Sequence, residues 1–242
     1  ADLRAFDDGT PISYDNPLWD ELLDKMTWKE TVALLSDGLR QTGAVESINA
    51  PKTLQFNGAT GPVPGDAADN SKYKFNTTQA PFEGFAAGTD GENDYPIFFC
   101  CNGIVASTFN PELQQKLGEQ IGEECLWIGM SGIYGLGVNI HRGAYCGRTF
   151  EYYSEDGYLT GVAAGYEAVG MHKLGVFVLM KHAVLNDQET HRAGLNVWAN
   201  EQTIREVYSR ALEVSIEIER ENIKTPMLGV MTGMNRLGAK WT

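Results

Sequence analysis

Between Gly132 and Val169 the chain changes character twice. Gly132 to Ile140 is a strand-like run. It delivers a polar cluster (Asn139, His141, Arg142, Arg148, Glu151, Ser154, Glu155, Asp156) interleaved with Tyr145, Phe150, Tyr152 and Tyr153. Gly143 and Gly147 are placed to let the backbone turn sharply between these groups. From Tyr158 onward, Leu159, Val162, Ala163, Tyr166 and Val169 recur at three and four, which predicts a helix capped by Ser154 or Asp156. A strand that ends in a polar, aromatic-lined loop and feeds a helix is the unit from which (β/α) barrels build sites at the carboxyl ends of their strands. A second reading stays open on the same residues: a buried ion-pair network of Arg142 and Arg148 with Glu151, Glu155 and Asp156.

The rest of the chain repeats that unit. Thr53–Phe56, Ile97–Cys101, Val176–Met180 and Met227–Met231 read as further strands. Thr27-Trp28-Lys29-Glu30 is a capping box for a helix through Val32 and Leu35, and Ser36-Asp37-Gly38 reads as its terminator. Asn110-Pro111-Glu112 supplies a cap, a first-turn proline and an acid, ahead of Leu113, Leu117, Ile121, Cys125 and Ile128 as a buried face. Asn200 caps a helix that turns Ile204, Val207, Tyr208, Ala211, Leu212, Ser215 and Ile218 inward. Alternating strands and helices predict a parallel sheet with right-handed crossovers. The expected fold is α/β: an incomplete (β/α)8, TIM-like barrel with five strands where a closed barrel takes eight. Residues 1–26 read as a lead-in or linker and residues 27–242 as the partial barrel domain. Gly65 to Asp94, rich in Gly, Asn, Asp and Thr, reads as a long loop over the site face, with Phe75, Phe82 and Phe85 stacking on a ligand or pinning the loop.

Charge and cysteine usage narrow the partners. A net charge of −13 argues against nucleic acid, because phosphate binding needs clustered Lys and Arg. No run of about 18 apolar residues is present to span a membrane. Cys100, Cys101, Cys125 and Cys146 form no C-x-x-C and no zinc-ligand spacing; the adjacent pair reads as small core residues, and a reducing, cytoplasmic compartment is the default. His141, His182, His191, Asp187 and Glu189 are donor types that a metal hydrolase uses, but no His-x-x-x-His or comparable pair occurs among them. Gly135-x-Gly137 is only a fragment of a dinucleotide fingerprint.

Polar groups collect where the predicted strands end: Asn57; His141 to Arg148; Lys181-His182 followed by Asn186, Asp187, Gln188, Glu189 and Arg192; and Thr232 to Arg236. Two of these stretches, G-V-N-I-H-R-G-A-Y-C-G-R-T-F-E-Y-Y-S-E-D and K-H-A-V-L-N-D-Q-E-T-H-R, closely resemble motifs of glycoside hydrolase family 3, the β-glucosidase family. The resemblance runs from about Thr27 to Thr242. It implies a retaining β-glycosidase acting on terminal β-D-glucosyl residues, without a cofactor. By position it implies sugar-hydroxyl contacts from Arg148, Lys181 and His182, with Asn57 in the place of a family Asp and Met231 as an apolar neighbour of the sugar.

Met234 occupies a position where the family usually has Tyr, so two of these residues depart from the pattern. The resemblance also implies that the Asp nucleophile and the Glu acid/base lie outside this chain. The expected partners are therefore a β-glucoside or oligosaccharide, and either the remainder of the same enzyme or a second copy of the chain. The alternative is a non-catalytic carbohydrate-binding or structural piece of barrel.

Overall fold

Two local signals set up the amino-terminal part of the fold. Asn16 accepts from the Leu18 amide at 3.0 Å and opens α1 (Leu18–Leu23). Thr27 and Glu30 then exchange the two bonds of a capping box, with Glu30 N–H donating to Thr27 Oγ1 at 3.2 Å and Thr27 N–H donating to Glu30 Oε2 at 2.8 Å. They start α2 (Trp28–Ser36). The computed structural model of the chain describes residues 13, 15–36, 41–62, 98–127, 129–223 and 228–241. Residues 1–12, the 65–94 loop with its three phenylalanines, Asp37, Gly38, Ile97, Ile128, Met227 and Thr242 lie outside the described residues.

The order continues with β1 (Gln41–Thr42), β2 (Thr53–Asn57), α3 (Asn102–Ser107), α4 (Pro111–Trp127), β3 (Gly132–Tyr134), α5 (Gly157–Lys173) and β4 (Phe177–Ala183). After β5 (Asn196–Val197) come α6 (Glu201–Thr203), a π-helical turn over Ile204–Tyr208, α7 (Ser209–Asn222), β6 (Leu228–Thr232), β7 (Arg236–Leu237) and β8 (Lys240–Trp241). The main sheet runs β1-β2-β3-β4-β6. All its pairings are parallel except the first, with Phe56 opposite Ile133, Ile133 opposite Val178, and Val178 opposite Leu228. A parallel sheet covered by helices is what the alternation predicts, and the fold class is that of part of a (β/α)8 barrel. The caps also fall as expected: Asn110 accepts from Leu113 N–H at 3.1 Å, Asp156 from Leu159 N–H at 2.6 Å, and Asn200 from Thr203 N–H at 2.7 Å.

The structure corrects three sequence readings. Phe98–Cys101 makes no sheet pairing. Its Phe99 amide donates to the Thr60 carbonyl at 2.8 Å, and Cys101, in extended conformation, is the N-cap residue of α3. The fifth strand of the described sheet is therefore the antiparallel β1, and Cys100 is exposed rather than in the core. A short apolar run without periodicity reads equally well as strand or as the lead into a helix. A second sheet, β5-β7-β8, lies where the sequence marks no strand, because two-residue strands are too short to show a period.

The third correction concerns α5. Tyr158 is 59% exposed, while Gly161, Ala163, Ala164, Gly165, Ala168 and Gly170 are buried. This helix lies between α4 and α7 and touches both with its small residues. A Cβ at Gly118 of α4 would fall 1.9 Å from the Glu167 carbonyl oxygen, so the two helices meet backbone to backbone. Ser215 of α7 donates to the Gly161 carbonyl at 3.1 Å. Two polar pairs are enclosed in these contacts: Tyr153 donates to Glu167 at 2.7 Å, and His172 Nδ1 meets Glu219 at 2.6 Å. Burial, opposed only by the Tyr153 bond, pushes the Glu167 carboxyl up to about 8. The apolar core joins α5 to Ile133, Val178 and Met180 of the sheet.

Candidate functional site

Gly137 is the point from which the site is assembled. The chain leaves β3 through Leu136, at φ 61°, and Gly137 then bridges Tyr152 on one side and Lys181 on the other. A Cβ at 137 would lie 2.1 Å from the Glu151 carbonyl oxygen, so only glycine lets the Thr149–Glu151 turn pack this closely. Gly143 and Gly147, which the sequence marks as the turning points, do not have positive φ, and a Cβ at Gly143 would meet nothing within 4 Å.

On β4 the register with β6 is irregular: Lys181 faces Met231 and Ala183 faces Thr232, so His182 is passed over. In a regular strand consecutive side chains point to opposite faces. A bulge re-aims one of them. Here both Lys181 and His182 are buried, at 3% and 5% exposure. The Lys181 amide donates to the Leu136 carbonyl at 3.1 Å, and its own carbonyl accepts from Val138 at 2.6 Å, which locks this end of β4 to the residues after β3.

Three polar groupings meet there. In the first, Glu151 lies between two cations: Lys181 Nζ is 3.1 Å from Oε2, and the Arg148 guanidinium pairs with Oε1. Arg148 also approaches Glu189 at 3.6 Å, and Glu189 is 3.3 Å from Arg192. Burial lowers the Lys181 ammonium, with Glu151 acting against it. For Arg148 burial also acts downward, but Glu151, Tyr152 and Glu189 outweigh it and raise the guanidinium. In the second grouping, Asn186 Nδ2 reaches Glu189 Oε1 at 3.1 Å and Tyr152 Oη at 2.8 Å, and Tyr152 Oη is 2.8 Å from His182 Nδ1. Burial, then the charges of Arg148, Lys181 and Arg192, lower His182 to about 2, so the ring is neutral. The third supports the loop: Asn139 accepts from the Asn186 amide at 2.9 Å and donates to Asp187 at 2.9 Å, while Tyr208 donates to the other Asp187 oxygen at 2.6 Å.

Of the residues singled out in the sequence, Arg148, Lys181 and His182 are brought together in this network. Asn57 closes β2 opposite Tyr134, with β3 between it and β4. Met231 lies opposite Lys181, and Met234, beyond the end of β6, is 51% exposed. The ion-pair reading is met in part, since Arg148 pairs with Glu151, but Asp156 caps α5 instead. Lys181 pairs with Glu151. Sequence reasoning passed over Tyr152 and Asn186 as ring-orienting groups, because neither spacing nor charge distinguishes them from their neighbours. His141 and His182 face different partners: His141 Nε2 is 2.9 and 2.8 Å from the Thr149 and Tyr152 carbonyl oxygens. Among the described residues no three His, Cys, Asp or Glu side chains are grouped to hold a metal ion, and no helix is long and apolar enough to cross a membrane.

A buried constellation of cations, a neutral imidazole and acceptors thus lies at the carboxyl ends of parallel strands in part of a (β/α)8 barrel. The relationships are specific. A β-glucosidase of Ruminococcus albus is 36% identical over 139 residues, 57% of this chain and 14% of that protein. A β-glucosidase of Rhizobium radiobacter is 30% identical over 224 residues, 92% of this chain and 24% of that protein. The structure of β-glucosidase 3B from Thermotoga neapolitana, solved with α-D-glucose, superposes with a TM-score of 0.70 at 28% identity, covering 92% of this chain and 30% of the other. No family model matches the chain. In sequence and in fold, then, the chain is related to the β-glucosidases of glycoside hydrolase family 3. It spans 14% and 24% of the length of the two curated relatives described above.

Proposed function

We propose that this chain forms the hydroxyl-binding wall of the sugar subsite in a retaining β-glucosidase, an enzyme hydrolysing terminal β-D-glucosyl residues. The observation that carries the reading is the Lys181–Glu151–Arg148 grouping beside neutral His182. An ammonium, a planar guanidinium and an imidazole around one hexose each bond a hydroxyl at a fixed angle. In this reading Asn57, at the end of β2, and Met231, opposite Lys181 on β6, flank the subsite, with exposed Met234 beyond β6. The β-glucosidase names of the relatives support the substrate class.

The chemical step belongs to other groups. A retaining glycosidase needs two carboxyl groups about 5 Å apart, one as nucleophile and one as acid/base. Each carboxylate of the cluster is already engaged: Glu151 by two cations, Glu189 by Arg192 and Asn186, Asp187 by Asn139 and Tyr208. The remainder of the same enzyme, or a second copy of the chain, is the expected partner.

Replacing Arg148 by Ala tests the assignment. In the intact enzyme kcat/KM on a nitrophenyl β-glucoside is expected to fall by an amount equivalent to about 2–5 kcal/mol, with folding retained. Wild-type kcat/KM in that variant would overturn the sugar-binding role. Glucose binding without any turnover in the intact protein would favour the non-catalytic alternative.

A further inference from the structure

The hydrogen bonds around His182 have a direction that can be derived. A carboxylate accepts and never donates, so the Asn186 group facing Glu189 Oε1 at 3.1 Å is the NH2. That nitrogen has a second proton, and it points to Tyr152 Oη at 2.8 Å. The phenol oxygen therefore accepts from Asn186, and its own proton goes to its other near neighbour, His182 Nδ1, at 2.8 Å. With Nδ1 accepting, the single proton of the neutral ring is on Nε2. Tyr152 is fully buried, and burial raises its phenol well above the usual range, so this proton is retained.

We propose that Asn186 and Tyr152 are positioning residues: they relay the acceptor character of Glu189 to His182 and hold its imidazole as an Nε2–H donor. Toward the substrate this rests on the sugar-binding reading above, and it makes the hydroxyl opposite His182 an acceptor. Neither residue need touch the sugar. Their effect passes through the ring, whose other nitrogen is already occupied. The neighbouring Tyr153 provides a built-in control: it is equally buried, but its hydroxyl is committed to Glu167 at 2.7 Å on the helix side.

The test uses the intact protein with its four histidines 15N-labelled in the ring, the His182 signals being assigned by loss in His182→Gln. Wild type is expected to show one tautomer, with a proton on Nε2 and an Nδ1 resonance displaced by an accepted hydrogen bond. In Tyr152→Phe the Nδ1 resonance should move toward that of an unbonded pyridine-type nitrogen, while Tyr153→Phe leaves it in place. Glucose affinity should weaken about threefold to tenfold in Tyr152→Phe, the range expected for one neutral hydrogen bond. An Nδ1–H tautomer in wild type, or His182 signals unmoved in Tyr152→Phe, would overturn the relay. If the relay signals are as expected but glucose perturbs neither Nε2–H nor its own affinity across the variants, the relay stands and the sugar-binding reading of His182 fails.

Discussion

The carboxyl ends of β4 and β6 are parallel neighbours, yet they present their side chains in opposite ways. Lys181 and Met231 face each other across the pair. Lys181 is enclosed, held at its backbone by Leu136 and Val138 and at its ammonium by Glu151. On β6, Val230 is 46% exposed, Thr232 is exposed and Met231 is half-buried. The difference follows from position in the sheet. β4 has a strand on each side and α5 packed behind it, whereas among the described residues β6 pairs only with β4. A buried cation is tolerable only where neighbours on both sides can bring it a counter-ion and satisfy its backbone. An edge strand has no such enclosure and presents unpaired groups of its own.

The largest expected effect breaks the enclosed end. Glu151→Leu leaves Lys181 buried without its partner, and urea unfolding should show a loss of about 3–5 kcal/mol. A loss of the size seen for surface substitutions would mean that charge pairing does not close this end of β4. Next comes the pair Met180→Ala and Met234→Ala. Met180 is fully buried in the core behind the site, so its truncation should cost about 2–5 kcal/mol; Met234 is half exposed, and its truncation should stay within about 0.5 kcal/mol. Equal costs would erase the contrast between the enclosed β4 and the open end beyond β6.

A pH-dependent effect comes from Glu167, on the helix behind β4. Its carboxyl is raised by burial from the ordinary 4.5 to about 8 in the folded chain, so between those values the folded state holds a proton that the unfolded state has released. Stability should therefore be fully present below about 4.5 and decline as pH rises toward 8, by at most about 1.4 kcal/mol per pH unit. Glu167→Gln should flatten that slope in urea unfolding followed from pH 5 to 8. An unchanged slope would assign the pH dependence to another group.

How far each feature could be read from the sequence tracks how far apart the interacting residues are along the chain. The helix starts at Thr27, Asn110, Asp156 and Asn200 are local bonds over three residues, and each was legible. Alternation of strand and helix likewise dictates a parallel sheet, because a short helical crossover returns the chain in the same direction. The motifs around Arg148 and Lys181-His182 placed the cations of the candidate site. What tertiary structure alone decided is which partners those groups take. Lys181 meets Glu151 and His182 meets Tyr152, each from 30 residues away, and Asn139 meets Asp187 from 48. Helix α5 is another such case, since its contact surface is made by glycines and alanines, residues with too little side chain to mark a face in a hydrophobic pattern. The physical reason is common to these cases. Backbone caps and strand periods are set by residues within a turn of one another, while burial, pairing and the direction of a hydrogen bond depend on what distant segments bring to the same few ångströms.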